Sequence, residues 1–263
     1  MDIPLQPWRD TLEDLGLAGL VRDPPALPSP APRPPSEARP PRPGPGVPPA
    51  VQPDGPGARP DPAAVAAAPS LEALQTLIQD CQACPLGAGR IRLVFGEGNP
   101  SAKLLFVGEG PGRDEDLQGR PFVGRAGELL DRMIASIGLQ RTEVWIGNVV
   151  KCRPPDNRTP TPQECQACSG YLRRQIELIR PRVIVTLGAT PLRELLGITT
   201  GITRIRGQWQ RLEMLGGIPV MPTFHPAYVL RQYTQEVRRA VWEDLKAAKN
   251  WADGPGEAGA APS

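Results

Sequence analysis

Histidine is all but missing from this chain: 263 residues contain one, His225. No site here can be built on paired imidazoles. Long apolar runs are missing as well, and no stretch approaches the length that a membrane span requires. Residues 1–10 lack the basic segment and apolar run of a secretory signal. These absences predict a cytoplasmic chain with no membrane partner. In that compartment its five cysteines are metal ligands or free thiols rather than disulfides. A strong net charge is missing too, but the overall +2 averages unlike parts. Residues 70–250 hold 24 Lys and Arg against 18 Asp and Glu, whereas residues 1–69 hold 6 against 8. The basic part suits a polyanion.

What the first 69 residues have in excess is proline. From Arg22 to Pro69, 18 of 48 residues are proline, and most of the others are Ala, Gly, Arg and Ser. Too few apolar side chains are present to offset the entropy of ordering, so residues 22–69 read as a disordered linker. Residues 253–263 read as a tail of the same kind. Ahead of the linker, residues 1–21 place Trp8, Leu12 and Leu15 on one helical face, the pattern of a short segment that docks a protein partner. Residues 70–252 remain, enough for one domain with a sizeable core.

Within them, four runs rich in Val, Ile and Leu alternate with helical patterns: 103–107, 144–147, 182–187 and 218–222. Continuous apolar runs separated by helices indicate parallel strands covered on both faces. The expected fold is a three-layer α/β/α sandwich around a mostly parallel four-stranded sheet. Ligands of such sheets sit beyond the carboxyl ends of the strands. Glu109, Asn148 and His225 all fall there. After the first run, Gly-Glu-Gly-Pro-Gly (108–112) forces a tight turn whose bare main chain a ligand can approach. Phe122 follows, read as an exposed aromatic suited to a flat ring.

Cys81 and Cys84 form a Cys-x-x-Cys pair after a helical pattern capped by Ser70. Cys152 follows the second strand. Cys165 and Cys168 lie on a helix with a clear start: Thr161 as cap, Pro162 in the first turn, Glu164 three residues after the cap. Two four-thiolate sets are open. One joins both Cys-x-x-Cys pairs as a zinc site; the other takes Cys81, Cys84, Cys152 and Cys168 and leaves Cys165 spare. Thiolates suit zinc and iron–sulfur clusters alike.

Four ordered motifs now stand together: Gly-Glu-Gly-Pro-Gly-x-x-Glu-Asp (108–116), Gly-Arg-Pro-Phe-Val-Gly (119–124), Asn-Val-Val-Lys-Cys-Arg-Pro-Pro (148–155) and His-Pro-Ala (225–227). Over roughly residues 70–250 they resemble the family 4 uracil-DNA glycosylases, the iron–sulfur members of that superfamily. The resemblance implies a monofunctional, monomeric enzyme acting on uracil-containing DNA. It would hydrolyse the N-glycosidic bond of deoxyuridine, release uracil and leave an abasic site, the opening step of base excision repair. It also selects between the thiolate sets, because the family places one cysteine after Asn-x-x-Lys and another 16 positions on. That implies a [4Fe–4S] cluster on Cys81, Cys84, Cys152 and Cys168, stapling the N-terminal helix to the loop that follows Cys152.

The site roles it implies are His225 donating to uracil O2, Asn148 reading the O4 and N3–H edge, and Phe122 stacking on the flipped base. Glu109 and the Gly110 main chain would line the floor. Relatives in another family carry a water-activating aspartate where Gly110 stands, so no general base is assigned; Glu109 or Glu115 would orient water, or main chain alone would hold it. Arg153 and Arg158 are expected to face DNA. Tyr228, Leu230 and Arg231 either fill the gap left by the flipped nucleotide or simply begin the last helix. Two other classes compete. One is a non-catalytic or covalent-trapping uracil binder. Some relatives trap uracil-DNA through a histidine in a basic insertion after the first motif; the chain has no such insertion and no second histidine, which argues against trapping. A zinc-stabilised DNA-binding module would have the cysteines without the chemistry.

Overall fold

The computed structural model describes residues 59–254. Residues 1–21, the linker up to residue 58 and the tail after residue 254 lie outside the described residues. Six strands form one sheet: β1 (Glu97–Gly98), β2 (Leu104–Gly108), β3 (Trp145–Asn148), β4 (Val183–Leu187), β5 (Gln210–Leu212) and β6 (Ile218–Thr223), in the order β1-β3-β2-β4-β6-β5. The four expected strands are the central ones, β3-β2-β4-β6, all parallel. The count of four needs correction, because β1 and β5 add antiparallel edges. At two and three residues they are too short for a hydrophobic run to announce them.

The helices are α1 (Pro62–Ala67), α2 (Leu71–Ile78), α3 (Leu86–Gly89), α4 (Arg113–Gln118), α5 (Arg125–Ser136), α6 (Pro162–Ile179), α7 (Ala189–Leu196), α8 (Ile202–Ile205), α9 (Pro226–Arg231) and α10 (Gln235–Asp253). Every residue of β2, β3 and β4 is buried, which is why their apolar runs are unbroken. On one face Leu105, Val107, Ile184 and Val220 join a core with Leu172, Ile176 and Ile179 of α6 and Leu74 and Ile78 of α2. Across the other face α10 lies on β4 and β6 and meets α5. The result is the expected three-layer α/β/α arrangement.

Local signals act as anticipated at α6. Thr161 Oγ1 accepts the Glu164 N–H at 3.3 Å, and Glu164 Oε2 accepts the Thr161 N–H at 2.8 Å. Three local readings change. The expected linker runs eight residues too far, since α1 buries Val65 and Ala68 and Arg174 of α6 donates to Ala68 O at 2.8 and 3.1 Å. The turn after β2 contains a helix, α4, whose first turn carries Asp114, Glu115 and Asp116, favoured at the positive end of the helix dipole. The run after His225 is a separate short helix, α9, before α10 restarts with Thr234 as its cap.

Candidate active site

The carboxyl ends of β2, β3, β4 and β6 open on one cleft of about 840 Å³. Glu109, Gly110, Phe122, Asn148 and His225 all line it. The sheet brings them together because Gly108 and Asn148 are paired neighbours on β2 and β3, and His225 follows the end of β6.

Asn148 is 1 % exposed, and its Oδ1 has no hydrogen-bond partner. An unpaired buried acceptor costs about 1–3 kcal/mol, so its retention needs a reason. Beside it, Gly108 leaves a notch. A Cβ there would overlap Asn148 Oδ1 and come within 2.5 Å of the Phe122 ring. Phe122 fills that notch and is 6 % exposed, so the exposed aromatic expected from the sequence is instead buried against the sheet edge. Its ring centroid lies 5.6 Å from that of His225, with the planes tilted by 35°.

His225 caps α9, and its Nδ1 accepts the Ala227 N–H at 3.1 Å. A ring nitrogen that accepts carries no proton, so the neutral ring holds its proton on Nε2. Burial, with a smaller contribution from the Arg231 charge, pushes the imidazole down to about 4. At neutral pH His225 is therefore an uncharged donor.

Glu109 accepts from Thr190 Oγ1 at 2.5 Å. Thr190 and Arg193, both on α7, line the cleft and were not anticipated. The signal was present: Gly188-Ala-Thr-Pro191 follows the third expected strand just as Glu109 and Asn148 follow the first two. Glu115 is less available for water, because its carboxylate accepts the N–H groups of Gly112, Val123 and Gly124 at 2.9–3.1 Å. It buckles the loop that carries Phe122. At Gly110 a Cβ would stand 2.6 Å from Val150 Cγ2, so an aspartate there would require the Val150 side chain to move.

The expected DNA contacts divide. Arg158, Tyr228 and Arg231 line the cleft; Arg153 and Leu230 do not. Tyr228 stacks on Phe224 with centroids 4.8 Å apart. Arg158 grips Glu164 with bonds of 2.7 and 2.8 Å, so part of its charge serves the loop. Arg153 is bonded to Asn157 Oδ1 at 2.7 Å.

Three residues beyond Asn148 the main chain enters a second region. Lys151 is fully buried, and its Nζ donates to Asn148 O at 2.8 Å and Gln175 Oε1 at 2.7 Å. Burial lowers this lysine to about 8, opposed by Cys168 and Cys152. Cys81, Cys152 and Cys168 are buried, and Cys84 is half-buried. Burial raises the Cys152 thiol to about 11, with Cys84 and Cys81 adding to it, and the Cys168 thiol to about 12, with Cys152 and Cys84 adding to it. Cys84 thus bears on both Cys152 and Cys168, and Cys81 on Cys152. Burial raises the Cys165 thiol to about 11, with Glu194, Glu109 and Glu164 adding to it and Arg193 opposing it. Arg90 Nη1 donates to Cys152 Sγ at 3.5 Å, the Ala83 N–H reaches Cys81 Sγ at 3.4 Å, and Tyr171 Oη lies 3.1 Å from the same sulfur. Among the described residues no three His, Cys, Asp or Glu side chains converge closely enough to hold a single metal ion. Nor is any described helix long and apolar enough to cross a membrane.

The family model described as the uracil DNA glycosylase superfamily matches residues 95–246. A type-4 uracil-DNA glycosylase of Thermotoga maritima is 50 % identical over 69 % of this chain and 94 % of its own length. Similar proteins of the same description occur in Archaeoglobus fulgidus, 46 % identical over 67 % of this chain and 90 % of the relative, and in Sulfurisphaera tokodaii, 45 % identical over 71 % and 86 %.

Proposed function

The chain belongs to the type-4 uracil-DNA glycosylases of the uracil-DNA glycosylase superfamily, and from that premise we propose how its cleft does the work. The enzyme is a monofunctional hydrolase that excises uracil from DNA. Breaking the C1′–N1 bond leaves positive charge on the sugar and negative charge on the departing base, and water then adds at C1′. The catalytic task is to stabilise both charges in advance of the bond's breaking.

The observation that carries the reading is the buried, unpartnered Oδ1 of Asn148. Uracil supplies what it lacks. Its N3–H donates to Oδ1 while its O4 accepts from the Asn148 amide; cytosine presents the opposite pattern on this edge. Phe122 takes the face of the extruded base. His225 donates its Nε2 proton to O2 as anionic character develops, a role for which the neutral tautomer is already set by the Ala227 N–H. One such donor is worth about 3 kcal/mol in the transition state. Glu109, steadied by Thr190, places a carboxylate near the electron-poor sugar and orients water. Arg158, Tyr228 and Arg231 meet the DNA strand at the rim, with Arg153 and Leu230 outside it.

The cysteine region fits a [4Fe–4S] cluster held by Cys81, Cys84, Cys152 and Cys168. All four donors are thiols, and N–H groups of Ala83 and Arg90 are directed at the sulfurs of Cys81 and Cys152. When bound, the group supplies a structural staple between the N-terminal helices, the loop after β3, and α6. The same proposal includes a monomeric, cytoplasmic enzyme and a docking role for residues 1–21, which lie outside the described residues.

The test is incubation of the intact protein with a labelled uracil-containing oligonucleotide in EDTA, followed by alkali. A strand break at the uracil position is expected. An unbroken strand with a correctly folded, iron-loaded enzyme would overturn the reading.

A further inference from the structure

Phe122 has φ +51°, a left-handed conformation that a bulky residue adopts only when its surroundings impose it. Two neighbours do so. From behind, α5 approaches so closely that a Cβ on Gly127 would overlap the Phe122 carbonyl. From the side, Arg141, in the turn Arg141–Glu143 ahead of β3, reaches the loop with its guanidinium. Its Nη1 donates to Phe122 O at 3.2 Å and its Nη2 to Pro121 O. The same group is anchored at its other edges, by Nε to Glu97 Oε1 at 2.7 Å and by Nη1 to Asp131 Oδ1 at 2.7 Å. Glu97 is held in turn by Arg120, two residues before Phe122, at 2.8 and 3.0 Å. One planar fork thus serves four acceptors from three chain segments, which the point charge of a lysine cannot do. Arg141 itself does not line the cleft.

We propose that Arg141 is a positioning residue for uracil recognition: its grip on the Pro121 and Phe122 carbonyls, braced by Glu97 and Asp131, holds the Phe122 ring at the stacking position beside His225. It acts through Phe122 and touches no substrate. The inference rests on the reading of Phe122 as the stacking ring. It also gives the edge strand β1 a purpose, since Glu97 is its first residue.

The experiment uses the full chain and a duplex carrying one 2′-fluoro-2′-deoxyuridine, which resists cleavage, against the same duplex with thymidine. The ratio of the two affinities isolates base recognition. Phe122→Ala should lower it about tenfold, the scale of one lost base stack. Arg141→Ala should lower it by a similar factor while leaving thymidine-duplex affinity within about twofold, and the double variant should fall no further than about twofold below either single one. Arg141→Lys should not restore the ratio. Glu97→Ala, which keeps Arg141 but removes its brace, should lower the ratio about threefold and serves if Arg141→Ala does not fold. A wild-type ratio in Phe122→Ala would remove the stacking reading itself. A loss in Phe122→Ala with a wild-type ratio in Arg141→Ala, multiplying losses in the double variant, or full rescue by lysine would overturn the role of Arg141 alone.

Discussion

The cleft and the cysteine region lie at the two ends of one five-residue stretch, Asn148 to Cys152, yet they are built on opposite terms. At the cleft end two polar groups are left largely without protein partners, although Glu109 is bonded to Thr190 and Arg158 to Glu164. Asn148 Oδ1 has none, and His225 offers only Nδ1 to the backbone. At the cysteine end polar groups are tied to one another: Lys151 to Asn148 O and Gln175, Gln175 to Phe95 O, and Arg90 to Cys81 O, Gln79 O and Cys152 Sγ. Groups held in reserve serve a ligand, whereas groups spent on one another serve the fold. Substitutions at the two ends should therefore separate rate from stability.

The largest effect is expected at the cysteine end. Cys152→Ser should lose iron and visible absorbance and lower the melting temperature by more than about 10 °C, as expected when several kcal/mol are removed from a domain of this size. Cys165→Ser should keep its iron. The reverse pattern, read from iron content and absorbance, would exchange the two assignments.

At the cleft end the expected signature is the opposite one. His225→Ala should slow single-turnover excision about 10²–10³-fold, because the leaving-group charge exists only in the transition state. Its stability should fall by only about 1 kcal/mol, through the lost cap on α9. DNA affinity that fell as steeply as the rate would make His225 structural and erase the contrast.

Smaller effects sharpen the boundary of the domain. A chain starting at residue 59 should match the full chain on short oligonucleotides. One starting at residue 70 loses α1 and the burial of Val65 and Ala68. It should melt about 5 °C lower, on the basis of one buried valine and the usual conversion to temperature, with its single-turnover rate unchanged below that point.

A further expected effect is one of pH. Unfolded His225 takes up its proton near pH 6.5, and folded His225 only near pH 4. Its contribution to stability is thus complete above pH 6.5 and is lost as pH falls from 6.5 towards 4. Urea unfolding of wild type and His225→Ala across that window should show the difference between them shrinking with acid and then changing sign. The lowering from 6.5 to about 4 amounts to roughly 3 kcal/mol, which exceeds the cap's contribution of about 1 kcal/mol.

What could be read from the sequence was local. Apolar runs announced the central strands, Thr161 and Glu164 announced α6, and strand ends pointed to Glu109, Asn148 and His225. What could not be read depends on partners distant in the chain. Glu97 is legible only once Arg141 and Arg120 lie beside it, and Arg158 looked free until Glu164 took two of its donors. Phe122 looked exposed because nothing in its own loop reveals the notch at Gly108. Residues 62–69 looked disordered because proline content outweighs two small side chains that only α6 makes worth burying.

The central claim is that an uncharged His225 presents an Nε2–H to the cleft. The chain's single histidine makes that claim directly measurable, since a sample labelled with ¹⁵N at histidine gives the signals of one ring. At pH 7 the account predicts a neutral ring with the proton on Nε2 and Nδ1 unprotonated, and no uptake of a second proton above about pH 5, consistent with a value lowered to about 4. A ring already charged at pH 6, or a neutral ring with its proton on Nδ1, would contradict it.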